Sequence, residues 1–392
     1  MDGIDDGRYN ESDSGTSEVN SSPYTEGVVL RIRRHIPPAP FNGPYGYNPR
    51  GGAIDKPEDG VVPDRVAFAL DNPPVESCEL LDDEYPFTIT GVKTLQHLSS
   101  DDRGGPHVVT GYAEDKKETL YVAKIYDGVD YPWESGYEGG DCMLDADYDY
   151  ALEAAAYETM QAVEGVGKKL VPEYCGGWTF PLDTGDENHP QRWVRMILLD
   201  FVEGETMLAI MRRARDGHTL DYSLLPPEDF RLRVLKNLFE AQIAIWWDAE
   251  VKHEDLEPRN VIVKADGSVV IVDFNQAVLY KFYDNELNSP EDMKYLKHPK
   301  YWEDEPALPL SPIEWNWPVT PVGRFLTDSW ENDNALADWT PKQWLQDADL
   351  AAEWLLETWE NTLSKKYRPL SHDFLNHSGH REHRRCERCW SG

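Results

Sequence analysis

Basic residues are the first shortage in this chain of 392 residues: 38 lysines and arginines face 72 aspartates and glutamates, a formal net charge of −34 at pH 7. An acid excess of this size repels nucleic-acid phosphates and anionic lipid headgroups, which excludes nonspecific binding to either through phosphate contacts. Cysteine is scarce as well. The residues present are Cys78, Cys142, Cys175, Cys386 and Cys389, scattered and odd in number, which excludes the disulfide framework of a small secreted scaffold. No stretch approaches the roughly 18 consecutive apolar residues of a spanning helix. The first residues, MDGIDDGRYNESDSG, hold no apolar run of the kind a signal peptide requires. The expectation is an intracellular protein, cytoplasmic or nuclear, with no membrane and no nucleic-acid partner.

Periodic apolar patterning is missing from the first part of the chain. Residues 1–85 are rich in Gly, Pro, Ser and acid, with patches such as HIPPAPFNGPYGYNPRGG that supply no repeating apolar face. This segment reads as largely disordered or loosely docked. Residues 28–32 are a short strand candidate, and Phe41, Tyr45 and Tyr47 are aromatics available to pack on the rest.

From residue 86 the pattern changes. Runs at 87–92, 107–112 and 119–126, rich in Val, Thr and Tyr, predict three strands of an antiparallel sheet. An acidic insert beginning at Asp127 leads into ALEAAAYETMQAV, where the alanines and the spacing of Leu152, Ala156, Met160 and Val163 predict a helix. Residues 195–202, RMILLDFV, read as an apolar strand. Pro226-Pro227-Glu228-Asp229 suits a helix start, and Leu235, Leu238, Phe239, Gln242, Ile245 and Trp246 then follow one buried helix face.

The chemistry is concentrated in residues 253–277, HEDLEPRNVIVKADGSVVIVDFNQA. His253, Asp255 and Asn260 stand at the spacing H-x-D-x-x-x-x-N, followed by an apolar run, an Asp266-Gly267 turn, a second apolar run and Asp273-Phe274-Asn275. Taken alone, two short apolar runs about an Asp-Gly turn are a β-hairpin with polar ends. Acids and amides at both ends, at this spacing, resemble the catalytic and metal-binding loops of the protein-kinase-like superfamily.

That resemblance implies an ATP- and Mg2+-dependent phosphotransferase that carries the γ-phosphate to a hydroxyl acceptor, on a protein Ser/Thr or on a small molecule. Phosphoryl transfer asks for positioning and charge neutralisation more than for covalent chemistry. Asp255 suits the orientation and deprotonation of the acceptor hydroxyl, and Asn260 and Asp273 offer hard oxygens to Mg2+. Within the same resemblance, Tyr121-Val122-Ala123-Lys124-Ile125 is similar to the V-A-x-K strand, which makes Lys124 the phosphate lysine. Glu153 is then the glutamate that pairs with it, with Glu158 as the rival. Asp200, Phe201 and Val202 correspond to the segment whose backbone hydrogen-bonds adenine.

The fold implied is α+β and two-lobed, a small antiparallel-sheet N-lobe with its hinge over residues 86–202 and a larger, mainly helical C-lobe over 203–375. Tryptophans in residues 300–370, including a predicted helix over 341–362, would fill the larger lobe. The wider pattern is similar to protein-kinase-domain proteins of filamentous fungi, which share the D-L-x-P-R-N-V loop and an S-P-I-x-W stretch.

Five positions depart from the resembled pattern. Only Gly104-Gly105 stands for the glycine-rich loop, with Asp101 and Asp102 beside it. Glu254 replaces the arginine that reads a phosphorylated activation loop, as it is also absent from aminoglycoside and choline kinases. Glu257 occupies the place of a lysine that would neutralise the transferred phosphoryl, and Asn275, a residue that tolerates a left-handed backbone, replaces the glycine of D-F-G. Ser289-Pro290-Glu291 is a weak echo of A-P-E. The glutamates and the weak peptide platform lean toward a small hydroxyl acceptor, and a pseudokinase serving as a binding scaffold is the alternative. Residues 376–392 place His377, His380, His383, Cys386 and Cys389 at a constant step of three. Imidazole and thiolate suit zinc, and the interleaved arginines equally suit a basic flexible tail.

Overall fold

In the computed structural model, strand β1, Val29–His35, alternates strictly at its start, with Leu30 and Ile32 buried and Val29 and Arg31 exposed. The structure describes residues 22–47, 49, 64–75, 84–93, 105–131, 141–216, 219–283, 288, 298–301, 308–312, 338–346, 348–359 and 365–369. β1 pairs antiparallel with β2, Glu84–Lys93, through Leu30 opposite Phe87. Four more strands follow, β3 His107–Ala113, β4 Tyr121–Tyr126, β5 Tyr174–Asp183 and β6 Gln191–Asp200. On its other edge β1 pairs with β5, Arg33 opposite Thr179. The six strands close into an antiparallel barrel of order β1-β2-β3-β4-β6-β5. Ile32, Phe87, Ile89, Ile125 and Phe180 pack in one cluster of this barrel, each side chain stabilising by roughly 1.5–3 kcal/mol on burial.

This closure corrects the expected two-lobed architecture. A small open sheet would keep two unpaired edges, whereas β1, which covers most of the strand candidate at 28–32 in a stretch otherwise read as disordered, satisfies both. The same stretch supplies helix α1, Arg65–Asp71, whose first N–H groups are capped by the Asp64 carboxylate at 3.0 and 3.1 Å. Of its aromatics, Phe41 and Tyr45 are buried and Tyr47 is 80% exposed.

Nor are the described residues beyond the barrel mainly helical. Their long helices are α2, Cys142–Gln161, and α4, Glu228–Ala249, with the short α3, Met207–Arg213, and α5, Ala348–Trp359. Between them lie short strands: β7 Glu205–Thr206, β8 Arg215–Asp216, β9 Thr219–Leu220, β10 Val251–Lys252, β11 Val261–Val263, β12 Val269–Ile271 and β13 Val278–Leu279. β12, β11 and β7 form one sheet, and β10 pairs with β13. The content is mixed α/β. No helix among the described residues is long and apolar enough to cross a membrane.

Two junctions position the site. α2 is buried over most of its length and touches β4, β5 and β6 of the barrel as well as α4 and β10. α4 stops at Glu250, whose left-handed backbone (φ 56°) bonds its N–H to the Ile245 carbonyl and turns the chain into β10 and the loop at His253.

Candidate functional site

Three separate segments meet at Lys124. β4 carries Lys124, α2 carries Glu153, and the turn after β12 carries Asp273. The Lys124 ammonium donates to Glu153 Oε2 at 2.5 Å and to Asp273 Oδ1 at 2.6 Å. Glu153 is fully buried, and Tyr126 OH donates to the same Oε2 at 2.6 Å. Burial pulls the Lys124 pKa down, but Asp273 and Glu153 outweigh it and hold the ammonium above its ordinary value. Burial pushes Glu153 up, while for Asp273 the burial is overcome by Lys124 and the carboxyl is held low. Glu158, the other acid the motif allowed, is exposed.

One face of α2 reads the turn residue by residue. Asp149, Glu153 and Tyr157 stand one helical turn apart and so line one stripe. Tyr157 OH accepts from the Asp273 N–H at 3.3 Å, Glu153 Oε1 from the Phe274 N–H at 3.1 Å, and Asp149 Oδ2 from Asn275 Nδ2 at 3.2 Å. Phe274 packs between Tyr157 and His253, with ring centroids at 5.4 and 4.6 Å. Asp273 has φ 72°, a left-handed conformation that costs a non-glycine residue about 1–2 kcal/mol. The positive φ therefore sits at Asp273 and not at Asn275, where the sequence suggested it.

The loop below is fixed by its own polar groups. His253 Nδ1 accepts from the Asp255 N–H at 3.3 Å, so Nε2 carries the proton and donates to the Val272 carbonyl at 2.9 Å. Burial lowers the His253 pKa and keeps the ring neutral. Asn260 Nδ2 donates to the Asp255 carbonyl at 2.8 Å and to Asp255 Oδ2 at 3.1 Å, and the Val272 N–H closes on the Asn260 carbonyl at 3.0 Å. Arg259 Nη2 donates to both Asp255 oxygens, at 3.1 and 2.9 Å, and Arg259 also pairs with Glu257. Sequence reasoning did not single out Arg259; its signal was Glu257 two positions earlier, an acid that needs a nearby cation.

The donor set fits a divalent cation brought in with phosphates. Asn260 spends its amide hydrogens inside the loop and Asp273 spends Oδ1 on Lys124, so Asn260 Oδ1 and Asp273 Oδ2 keep no hydrogen-bond partner among the described residues. No group of three or more His, Cys, Asp or Glu among the described residues could hold a metal ion. Mg2+ is commonly bound through one or two protein oxygens, waters and substrate phosphates, which two spare hard oxygens match.

Asp200, Phe201 and Val202 lie elsewhere. Asp200 sits opposite Tyr121 at the end of the β4–β6 ladder, while Lys124 is opposite Ile197. The Asp200 N–H bonds the Glu173 carbonyl at 3.0 Å and the Phe201 N–H bonds Leu120 O at 3.2 Å, so both donors are committed within the protein. These three residues line a cavity of about 460 Å3 with Lys168, Pro172 and Lys264, and none of Lys124, Glu153, Asp255, Asn260 or Asp273 borders it. Asp101, Asp102, Gly104, Ser289, Pro290, Glu291 and the tail residues His377, His380, His383, Cys386 and Cys389 lie outside the described residues.

The electrostatics give a test of the stripe on α2. Burial raises Asp149 to about 7 from 3.8, partly offset by Asn275 and Lys124. The folded protein therefore binds more protons here than the unfolded chain between those values, and the contribution to stability is lost as pH rises toward 7. His35 and His298, lowered by burial to about 3 and about 4, act in the opposite sense and lose stability as pH falls below the ordinary histidine range. Asp149→Asn keeps an acceptor oxygen and cannot ionise. Its melting temperature minus that of the wild type is expected to grow from about pH 5 to about pH 8, a comparison in which the histidines cancel. A difference independent of pH would show that Asp149 does not carry this titration.

A scan of protein-family models finds none that matches the chain, and a search of curated proteins likewise returns no match.

Proposed function

We propose that the protein is an ATP- and Mg2+-dependent phosphotransferase acting on a hydroxyl acceptor, with a catalytic loop of the protein-kinase-like superfamily. The observation that carries this reading is the meeting of Lys124, Glu153 and Asp273 from three distant segments in one ion-pair cluster, with Lys124 and Glu153 buried and Asp273 half-buried. A buried ammonium shared by two carboxylates is a weak source of stability, and it is a suitable cation for phosphate oxygens.

In this reading Asp255 orients the acceptor hydroxyl and takes its proton as the oxygen–phosphorus bond forms and the bond to the departing ADP oxygen breaks. Lys124 holds phosphate oxygens, and Glu153 fixes the direction of Lys124. Arg259 supplies beside Asp255 the positive charge that Glu257 does not. Mg2+, held by Asn260 and Asp273, would neutralise the phosphate oxygens. Of the adenine segment, Val202 is the residue whose N–H is not committed to the protein among the described residues. Glu254 and Glu257 favour a small hydroxyl acceptor over a protein.

The test is thermal stability of the purified protein with and without ATP, each with and without Mg2+, because a ligand that binds only the folded state raises the melting temperature. The expected result is a shift that requires both and disappears in Asp273→Ala. No shift at millimolar ATP would sink the reading.

One observation favours a second reading, a binding scaffold without turnover: a single Arg259 nitrogen spans both oxygens of Asp255, the group that must receive the proton. The scaffold reading expects an ATP-dependent shift or none, and no ADP release with any acceptor.

A further inference from the structure

The least expected residue of the turn is Asn275, which stands where the resembled motif has glycine. Its backbone does not explain it, because the positive φ of this turn belongs to Asp273. Its side chain does have an assignment: Asn275 Nδ2 reaches Asp149 Oδ2 at 3.2 Å, and Tyr131 OH reaches the same oxygen at 3.1 Å. Asp149 is 8% exposed, and a carboxylate so buried is tolerated only when donors satisfy it. The other two contacts of the α2 stripe end on backbone N–H groups of Asp273 and Phe274. Of these three hydrogen bonds, Asp149–Asn275 is the one that joins two side chains, and it touches neither Asn260 nor Asp273.

We infer that Asp149 and Asn275 are positioning residues, a side-chain clasp that pins the Asp273 turn to α2 and sets the Asp273 carboxylate for Mg2+-bound phosphates. A left-handed aspartate persists only where its surroundings over-determine it, and the clasp is the constraint on the far side of the turn from His253. Without it, Asp273 relaxes toward ordinary backbone and its free oxygen leaves the position facing the phosphates. The inference rests on the phosphotransferase reading, and it goes beyond that reading by assigning a role to two residues that contact no substrate.

The experiment titrates Mg2+ at fixed ATP with the full chain and reads the concentration giving half of the ATP-dependent thermal shift, together with the melting temperature without ligand. Asn275→Ala and Asp149→Ala are each expected to raise the Mg2+ requirement about tenfold, the worth of one hydrogen bond to a charged group. Asp149→Asn keeps the acceptor and is expected to keep the wild-type requirement. The double alanine variant is expected to be no worse than either single one, since both break the same contact. An unchanged requirement in Asn275→Ala, or Asp149→Asn as impaired as Asp149→Ala, overturns the clasp while leaving the phosphotransferase reading standing. A wild type that shows no shift with ATP and Mg2+ overturns both. Should Asp149→Ala not fold, Asn275→Ala at its half-buried position and the isosteric Asp149→Asn still decide the matter.

Discussion

Asp255→Asn is expected to slow ADP release by about a thousandfold, the middle of the range for a positioned general base, while the thermal shift with ATP and Mg2+ survives. The separation of effects follows from geometry. Asp255 is engaged by Arg259 and Asn260 on the loop after β10, whereas the contacts to Lys124 are made by Glu153 and Asp273. Amide for carboxylate preserves shape and removes the proton acceptor, so binding and transfer come apart. ADP release would be followed with a panel of small polyols, amino alcohols and a Ser/Thr-rich protein as acceptors. Wild-type turnover in the variant would remove Asp255 from the mechanism.

Lys124→Met is expected to destabilise the fold by about 3–5 kcal/mol, since removing one partner of a buried pair leaves the other charge uncompensated. Here two carboxylates lose their cation together, and Glu153 has no exposed surface through which water could replace it. Without the ammonium both carboxyls shift above their unfolded values, so their contribution is lost as pH rises through the shifted range. The deficit should therefore be largest at neutral and alkaline pH and shrink as pH falls toward the ordinary carboxylate range. Adding Glu153→Gln to Lys124→Met should recover part of the loss. Urea unfolding across pH measures both, and a Lys124→Met variant within about 1 kcal/mol of wild type would mean that the cluster is already neutral.

Local patterning made part of this structure legible. β2, β3, β4 and β6 fall on the Val-, Thr- and Tyr-rich or apolar runs, and the β11–β12 hairpin turns at Gly267, whose φ of 84° is what an Asp-Gly turn needs. β5 was hidden by Gly176, Gly177 and Pro181. Gly176 is needed there because its φ of 98° is a backbone conformation that other residues rarely adopt. The barrel itself was misread because closure depends on which edges meet, a non-local fact that no window of sequence contains. α2 starts at Cys142, inside the segment read as an acidic insert, because the Asp141 carboxylate caps the Leu144 N–H at 2.9 Å, and Asp147 and Asp149 then meet the Val75 N–H and Asn275. The adjacency of Lys124 and Glu153 could be read from a motif, whereas Arg259 and Asp149 take their meaning from residues they meet in space.

The way β1 is shared between β2 and β5 also governs the order in which this chain can be completed. A ribosome releases Val29–His35 and its partner Glu84–Lys93 well before Tyr174–Asp183. Until β5 emerges, the nascent sheet carries an unpaired edge, and such long-range pairing is slow and exposed to aggregation. Shortening the protein past Val28 would therefore not trim a tail. It would leave β2 and β5 of the finished molecule each with an open sheet edge seeking a strand from another chain.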